Sequence, residues 1–107
     1  MLLEPDNDSP QDMGDSNKVM AEEDEEAWME KKSAAMMALS EQNYEKAVEH
    51  FTDAIKMNPQ SAIMFAKRAN CYLHLQKPNA CIRDCNRAVE LNPDSAAAHK
   101  YRGRANR

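Results

Sequence analysis

Residues 77–93 read KPNACIRDCNRAVELNP, and residues 43–59 read NYEKAVEHFTDAIKMNP. Laid one over the other, Asn58-Pro59 falls on Asn92-Pro93, Ala54 on Ala88, Ile55 on Val89, Phe51 on Cys85 and Ala47 on Cys81. Each pair is 34 positions apart. Within both stretches the apolar residues recur at three- and four-residue steps, the spacing of one helix face. Asn-Pro ends each run, because the residue before a proline is pushed out of the α region.

Working outward, the pattern predicts five helices. The first runs over about 25–40, with a small-residue stripe of Ala27, Trp28, Lys31, Ala34, Ala35, Ala38 and Leu39. The second spans about 44–57, with Ala47, Val48, Phe51, Ala54 and Ile55 inward. Ser61 caps a third over 62–75. Pro78 opens the fourth, in the first turn, where its missing N–H costs nothing. The fifth begins at Ala96 behind Asp94-Ser95; it is expected to fray after His99, with Ala98 and Ala105 facing outward.

A 34-residue period with two helices in each unit is the signature of the tetratricopeptide repeat. A single helix pair cannot bury its apolar face alone, so the units must stack into a solenoid. The expected fold is therefore an all-α helical solenoid of two full repeats, about 28–61 and 62–95, plus the first helix of a third, 96–107. The whole repeat domain is placed at 25–107, behind an acidic leader at 1–24. Small side chains stand where neighbouring helices must approach: Ala35, Ala47, Ala54, Ala69, Cys81, Ala88 and Gly103.

The net charge of −4 hides a division. Residues 1–30 hold 11 acidic side chains and one basic, whereas residues 31–107 hold seven acidic and 13 basic. The leader's Pro, Asp, Asn and Ser, with little apolar content, imply disorder, since such a segment cannot offset the entropy of folding. The basic remainder invites a nucleic-acid reading. Only 6% of residues are aromatic, too few for the stacking that single-strand binders use, so no nucleic-acid partner is expected. No apolar run is long enough to span a membrane. With no signal-peptide pattern either, a cytoplasmic protein is expected.

Little catalytic chemistry is legible. His50, His74 and His99 are far apart in repeat register and make no metal-ligand spacing with a cysteine pair. Neither a phosphate-cradling glycine loop nor a nucleophile elbow is present. Cys81 and Cys85, four apart on one helix face, could be half of a metal or redox site. Their repeat counterparts are Ala47 and Phe51, which favours two buried apolar side chains. Cys71 leaves the cysteine count odd, against a disulfide framework. Asp84, beside Arg83, reads as half of a structural ion pair. A non-enzymatic protein without metal or cofactor is the expectation.

The segment EPDNDSPQDMGD (residues 4–15), the tracts FTDAIKMNP and AKRANCYLHLQKPNACIRDCNRAVELNPDS, and the ending YRGRA together resemble the Hip cochaperone (FAM10-type) family over nearly the whole chain. A plant relative joins similar repeats to a thioredoxin domain, of which this sequence carries no CxxC. The resemblance implies a cytosolic cochaperone that binds the ATPase domain of the 70-kDa heat-shock chaperone and prolongs its ADP-bound, substrate-holding state. The family's dimerisation region, charged helix and Gly/Met-rich section lie outside this sequence. A shortened, monomeric form of the family is therefore expected, with an inactive truncated paralogue as one alternative.

A second alternative is an adaptor that clamps an acidic chaperone C-terminal peptide. In clamp-type relatives the slots take Lys and Asn, then Asn, then Lys and Arg; here they hold Lys32, Met36, Lys67, Ala97 and Tyr101. Only Lys32 keeps the clamp residue, so weak peptide binding is expected. The inner-helix register instead gives Lys32, Lys67, Asn70, Lys100 and Arg104 as candidate partner-binding residues. They form a broad basic face suited to an acidic folded partner, over which the acidic leader is expected to fold back.

Overall fold

The computed structural model describes residues 8–106. The described residues form five α-helices: α1 (Glu25–Ser40), α2 (Tyr44–Met57), α3 (Ala62–His74), α4 (Pro78–Leu91) and α5 (Ala96–Ala105). A 3-10 turn over Glu22–Asp24 leads into α1, and no strand occurs among them. Five consecutive acids, Glu22–Glu26, occupy this entry, where the helix dipole favours negative charge.

Local chemistry fixes most of the boundaries. The Asn43 side chain accepts the Lys46 N–H at 3.3 Å, Ser61 Oγ that of Met64 at 3.4 Å and Ser95 Oγ that of Ala98 at 3.3 Å. Each such cap contributes about 1 kcal/mol. α4 has no side-chain cap and starts instead on Pro78, whose fixed φ and missing N–H suit the first helical position. The α1–α2 and α3–α4 turns are copies of each other. Gln42 and Gln76 both take positive φ (62° and 59°), and the next N–H reaches back to Ala38 O and Tyr72 O respectively, each at 2.9 Å. The N–H after the left-handed residue thereby satisfies a helix-end carbonyl.

Each helix packs on its neighbour in sequence, and α3 also touches α5. The first helices of the units, α1, α3 and α5, thus line one side, called here the inner face. The second helices, α2 and α4, form the outer side. Ala35, Ala47, Phe51, Ala54, Ile55, Phe65, Ala69, Cys81, Cys85 and Ala88 are fully buried between them. Burying Phe51, Ile55 or Phe65 contributes about 1.5–3 kcal/mol each, and the alanines let the backbones come close.

Two expectations are corrected. Ala98 and Ala105 do not face outward: both are buried, on a helix that packs against α3 and α4, and α5 is helical through Ala105. The open position on α5 is Gly103, whose missing Cβ would meet nothing within 4 Å. The leader also differs from the expectation of disorder over its described part. Residues 8–18 form an irregular strap, bent at Gly14 and turned at residues 16–17, against the outer side in the furrow between α2 and α4, held by hydrogen bonds that composition does not reveal. Residues 1–7 lie outside the described residues.

Candidate functional site: the inner face

The inner face is built from α1, α3 and α5; in repeat register Lys100 is the counterpart of Lys32 and Arg104 of Asn70, whereas the α3 counterpart of Lys32 is buried Ala66. Lys67 and Asn70 stand three apart on α3, Lys100 and Arg104 four apart on α5, so each pair shares a helix face. Because α3 and α5 are in contact, these four belong to one continuous surface. Lys67 and Asn70 are half-buried, while Lys100 and Arg104 are exposed. Lys32 is half-buried on α1, its ammonium 5.3 Å from the Trp28 ring centroid, which steadies it by a cation–π contact. α1 packs mainly on α2, which makes Lys32 the outlying member.

Sequence reasoning missed two members of this surface. Met29 and Ile63 are 54% and 60% exposed, large apolar side chains facing solvent. They are 34 residues apart, and Ala97 is the next in the series. Met29 precedes Lys32 by three positions and Ile63 precedes Lys67 by four, so an apolar row runs beside the cations. Their 34-residue spacing was available as a signal. At one end of the face Glu22, Glu23, Glu25 and Glu26 surround a cleft with Met29.

The clamp slots are also placed. Lys32, Met36, Lys67 and Tyr101 are half-buried and Ala97 exposed. A carboxylate at this face would meet lysines but not the paired side chains that grip it in two directions.

The outer side uses charge in a different manner. Arg68, next to Lys67, points the opposite way and is 0% exposed, as is Asp84. Arg68 Nε and Nη2 each donate to the Asp84 carboxylate at 2.7 Å, a two-point ion pair. Arg68 Nη1 donates to Thr52 Oγ1 at 3.0 Å and to Asp12 O at 2.8 Å. Phe65 and Tyr72 flank the guanidinium at 5.7 and 5.8 Å. Asp84 is thus half of a structural ion pair, but with Arg68, 16 positions away, rather than with neighbouring Arg83. Burial pushes the Asp84 carboxyl up, while Arg68 and the Gln11 amide pull it part of the way back. One repeat later, Arg102 reaches Asn86 Oδ1 at 3.1 Å, the same reach that Arg68 makes to Thr52.

Cys81 and Cys85 are buried with their Sγ atoms 3.9 Å apart. Among the described residues no three metal-ligating side chains converge, and no helix is long and apolar enough to cross a membrane.

The tetratricopeptide-repeat family profile matches residues 33–61 and again residues 62–95. The second tetratricopeptide domain of Spaghetti (RPAP3), solved bound to the HSP90 peptide SRMEEVD, superposes with a TM-score of 0.72 at 30% identity, over 74% of this chain and 73% of that one. The chain belongs to the tetratricopeptide-repeat family. Within it, the sequence is 44% identical to Hsc70-interacting protein 1 of Drosophila melanogaster over 99% of its length, and 45% identical to the TPR repeat-containing thioredoxin TDX of Arabidopsis thaliana over 97%. It spans 28% and 27% of those two proteins respectively. The particular likeness is thus to proteins of the Hip type.

Proposed function

We infer that this chain is a Hip-like chaperone-binding module, and that its inner face docks the ATPase domain of a 70-kDa heat-shock chaperone and favours the ADP-bound state. The observation that carries the reading is the combination of cations and exposed apolar side chains on the first helices of the repeat units. Lys32, Lys67, Asn70, Lys100 and Arg104 line helices that also expose Met29 and Ile63. Such a surface suits a folded acidic partner: charge steers the encounter and the apolar row supplies buried area. The 44% identity with a protein named for its interaction with Hsc70 supports the choice of partner.

A second reading is favoured by the structural neighbour that holds an HSP90 peptide. In that reading the inner face clamps an acidic chaperone C-terminal peptide. Met36, Ala97 and Tyr101 speak against it, since none supplies the cation or amide that a carboxylate needs. Calorimetry with an intact 70-kDa chaperone and with a form lacking its C-terminal tail separates the two. Equal affinity for both forms is expected. Binding that disappears with the tail, or that a free peptide reproduces, would establish the clamp instead.

A further inference from the structure

Residues 8–18 are held on the outer side the way a peptide ligand is held. Three of their main-chain carbonyls are gripped by side chains of the helical body: Asp12 O by Arg68 Nη1 at 2.8 Å, and Ser16 O and Lys18 O by Gln60 Nε2 at 2.8 and 3.1 Å. Gln11 is read at both ends of its amide. Its Nε2 donates to Ala80 O at 2.7 Å and to Asp84 Oδ1 at 3.1 Å, and its Oε1 accepts from Arg83 Nε at 2.8 Å. Met13 Sδ accepts from Arg68 Nη2 at 3.4 Å. Asp8 pairs with Lys77 at one end and Lys18 Nζ reaches Lys56 O at the other.

Gly14 is the most selective point. Its φ is +73°, and a Cβ there would lie 3.1 Å from both Ile55 O and Pro59 Cβ. Any side chain would strain the strap and press it away from α2. The receptor groups are equally specialised, because Arg68 and Asp84 are both fully buried and several of their hydrogen-bond partners come from the strap.

We propose that the furrow between α2 and α4 is a peptide-recognition site for a Gln-Asp-Met-Gly segment bent at its glycine, filled by the chain's own residues 8–18. The strap closes the outer side and leaves the inner face open. Release of the strap exposes a furrow that accepts the same segment supplied from outside.

The test uses the full chain carrying Gly14→Val, a change confined to the strap. Cleavage by an Asp-specific endoprotease between Gln11 and Asp12 is expected to quicken at least about tenfold over the parent, as the bound population of the strap falls. A synthetic peptide of residues 8–18, titrated to the millimolar range at which a tethered segment competes, is expected to shift the backbone amides of Thr52, Gln60, Arg68 and Asp84 in the variant. The parent, already filled, stays unshifted, and a scrambled peptide shifts neither. A variant strap cut no faster than the parent's would overturn the proposal. So would a released variant blind to the peptide, or one that answers the scrambled sequence equally. Gln11→Ala, a milder change, is expected to give the same pattern in smaller measure. If both variants unfold, the strap is a core element and not a bound segment, and the idea fails.

Discussion

Lys67 and Arg68 are adjacent in sequence and serve opposite sides of α3. Lys67 stands on the inner face, half-buried, among other cations and beside exposed Ile63. Arg68 passes to the outer side, where it is fully buried between two aromatic rings and bonded to Asp84, Thr52 and the strap. A buried charge must have every donor partnered, or the fold pays the desolvation cost. An exposed charge keeps its water and contributes little to stability. The outer side therefore holds the domain together, and the inner face is the side proposed for a partner.

The sharpest way to break that division is at Asp84. Asp84→Ala strands the Arg68 guanidinium in a dry site and is expected to cost about 3–5 kcal/mol, a large part of the ~5–15 kcal/mol that a domain has. Chemical denaturation checks it, and an unchanged midpoint would mean that the pair is not the anchor described. Replacing both members, Arg68→Met with Asp84→Leu, is expected to restore much of the loss, because no unpaired charge remains.

The alkaline limb sharpens the comparison next. Burial pushes the Cys71 thiol from 9.0 up to about 12, with the Asp84 charge adding to the rise. Burial also raises the Tyr72 phenol from 10.0 to about 12, against some opposition from Arg68. Both groups lie one turn beyond Arg68 on α3 and stay protonated in the fold at a pH where the unfolded chain has ionised. Their contribution is whole below pH 9, falls as the pH rises past it, and is lost by about 12. The melting temperature should decline through that window, less steeply in Cys71→Ala; a flat profile to pH 11 would contradict the burial.

The smallest effect belongs to the inner face. Lys67→Glu is expected to change folding stability by less than about 0.5 kcal/mol, although it lies one residue from Arg68. A loss comparable to that of Asp84→Ala would show that the two sides are not separable.

The solenoid was legible because its signals are local and periodic: Asn-Pro stops 34 apart, serine caps, Pro78, and small residues at helix approaches. The Arg68–Asp84 pair was not, since its members are 16 positions apart and Arg83, next to Asp84 in sequence, stood as the nearer cation. The strap was hidden for a related reason. Its hold rests on single residues, Gln11 and Gly14, which carry no period and sit in a composition that reads as solvated. Of the inner face, the exposure of Met29 and Ile63 was not read from the sequence, because a large apolar side chain at helical spacing carries no mark of which side it faces.

The division of labour is tested most directly by titrating an ADP-bound 70-kDa chaperone ATPase domain with the parent and with the Lys67→Glu, Lys100→Glu double variant. The account predicts that affinity drops at least about tenfold, a loss of 1.4 kcal/mol or more. The salt dependence of binding should flatten with it, while the melting temperature of the module stays as in the parent. Equal affinity for the two proteins at physiological salt would contradict the assignment of the inner face.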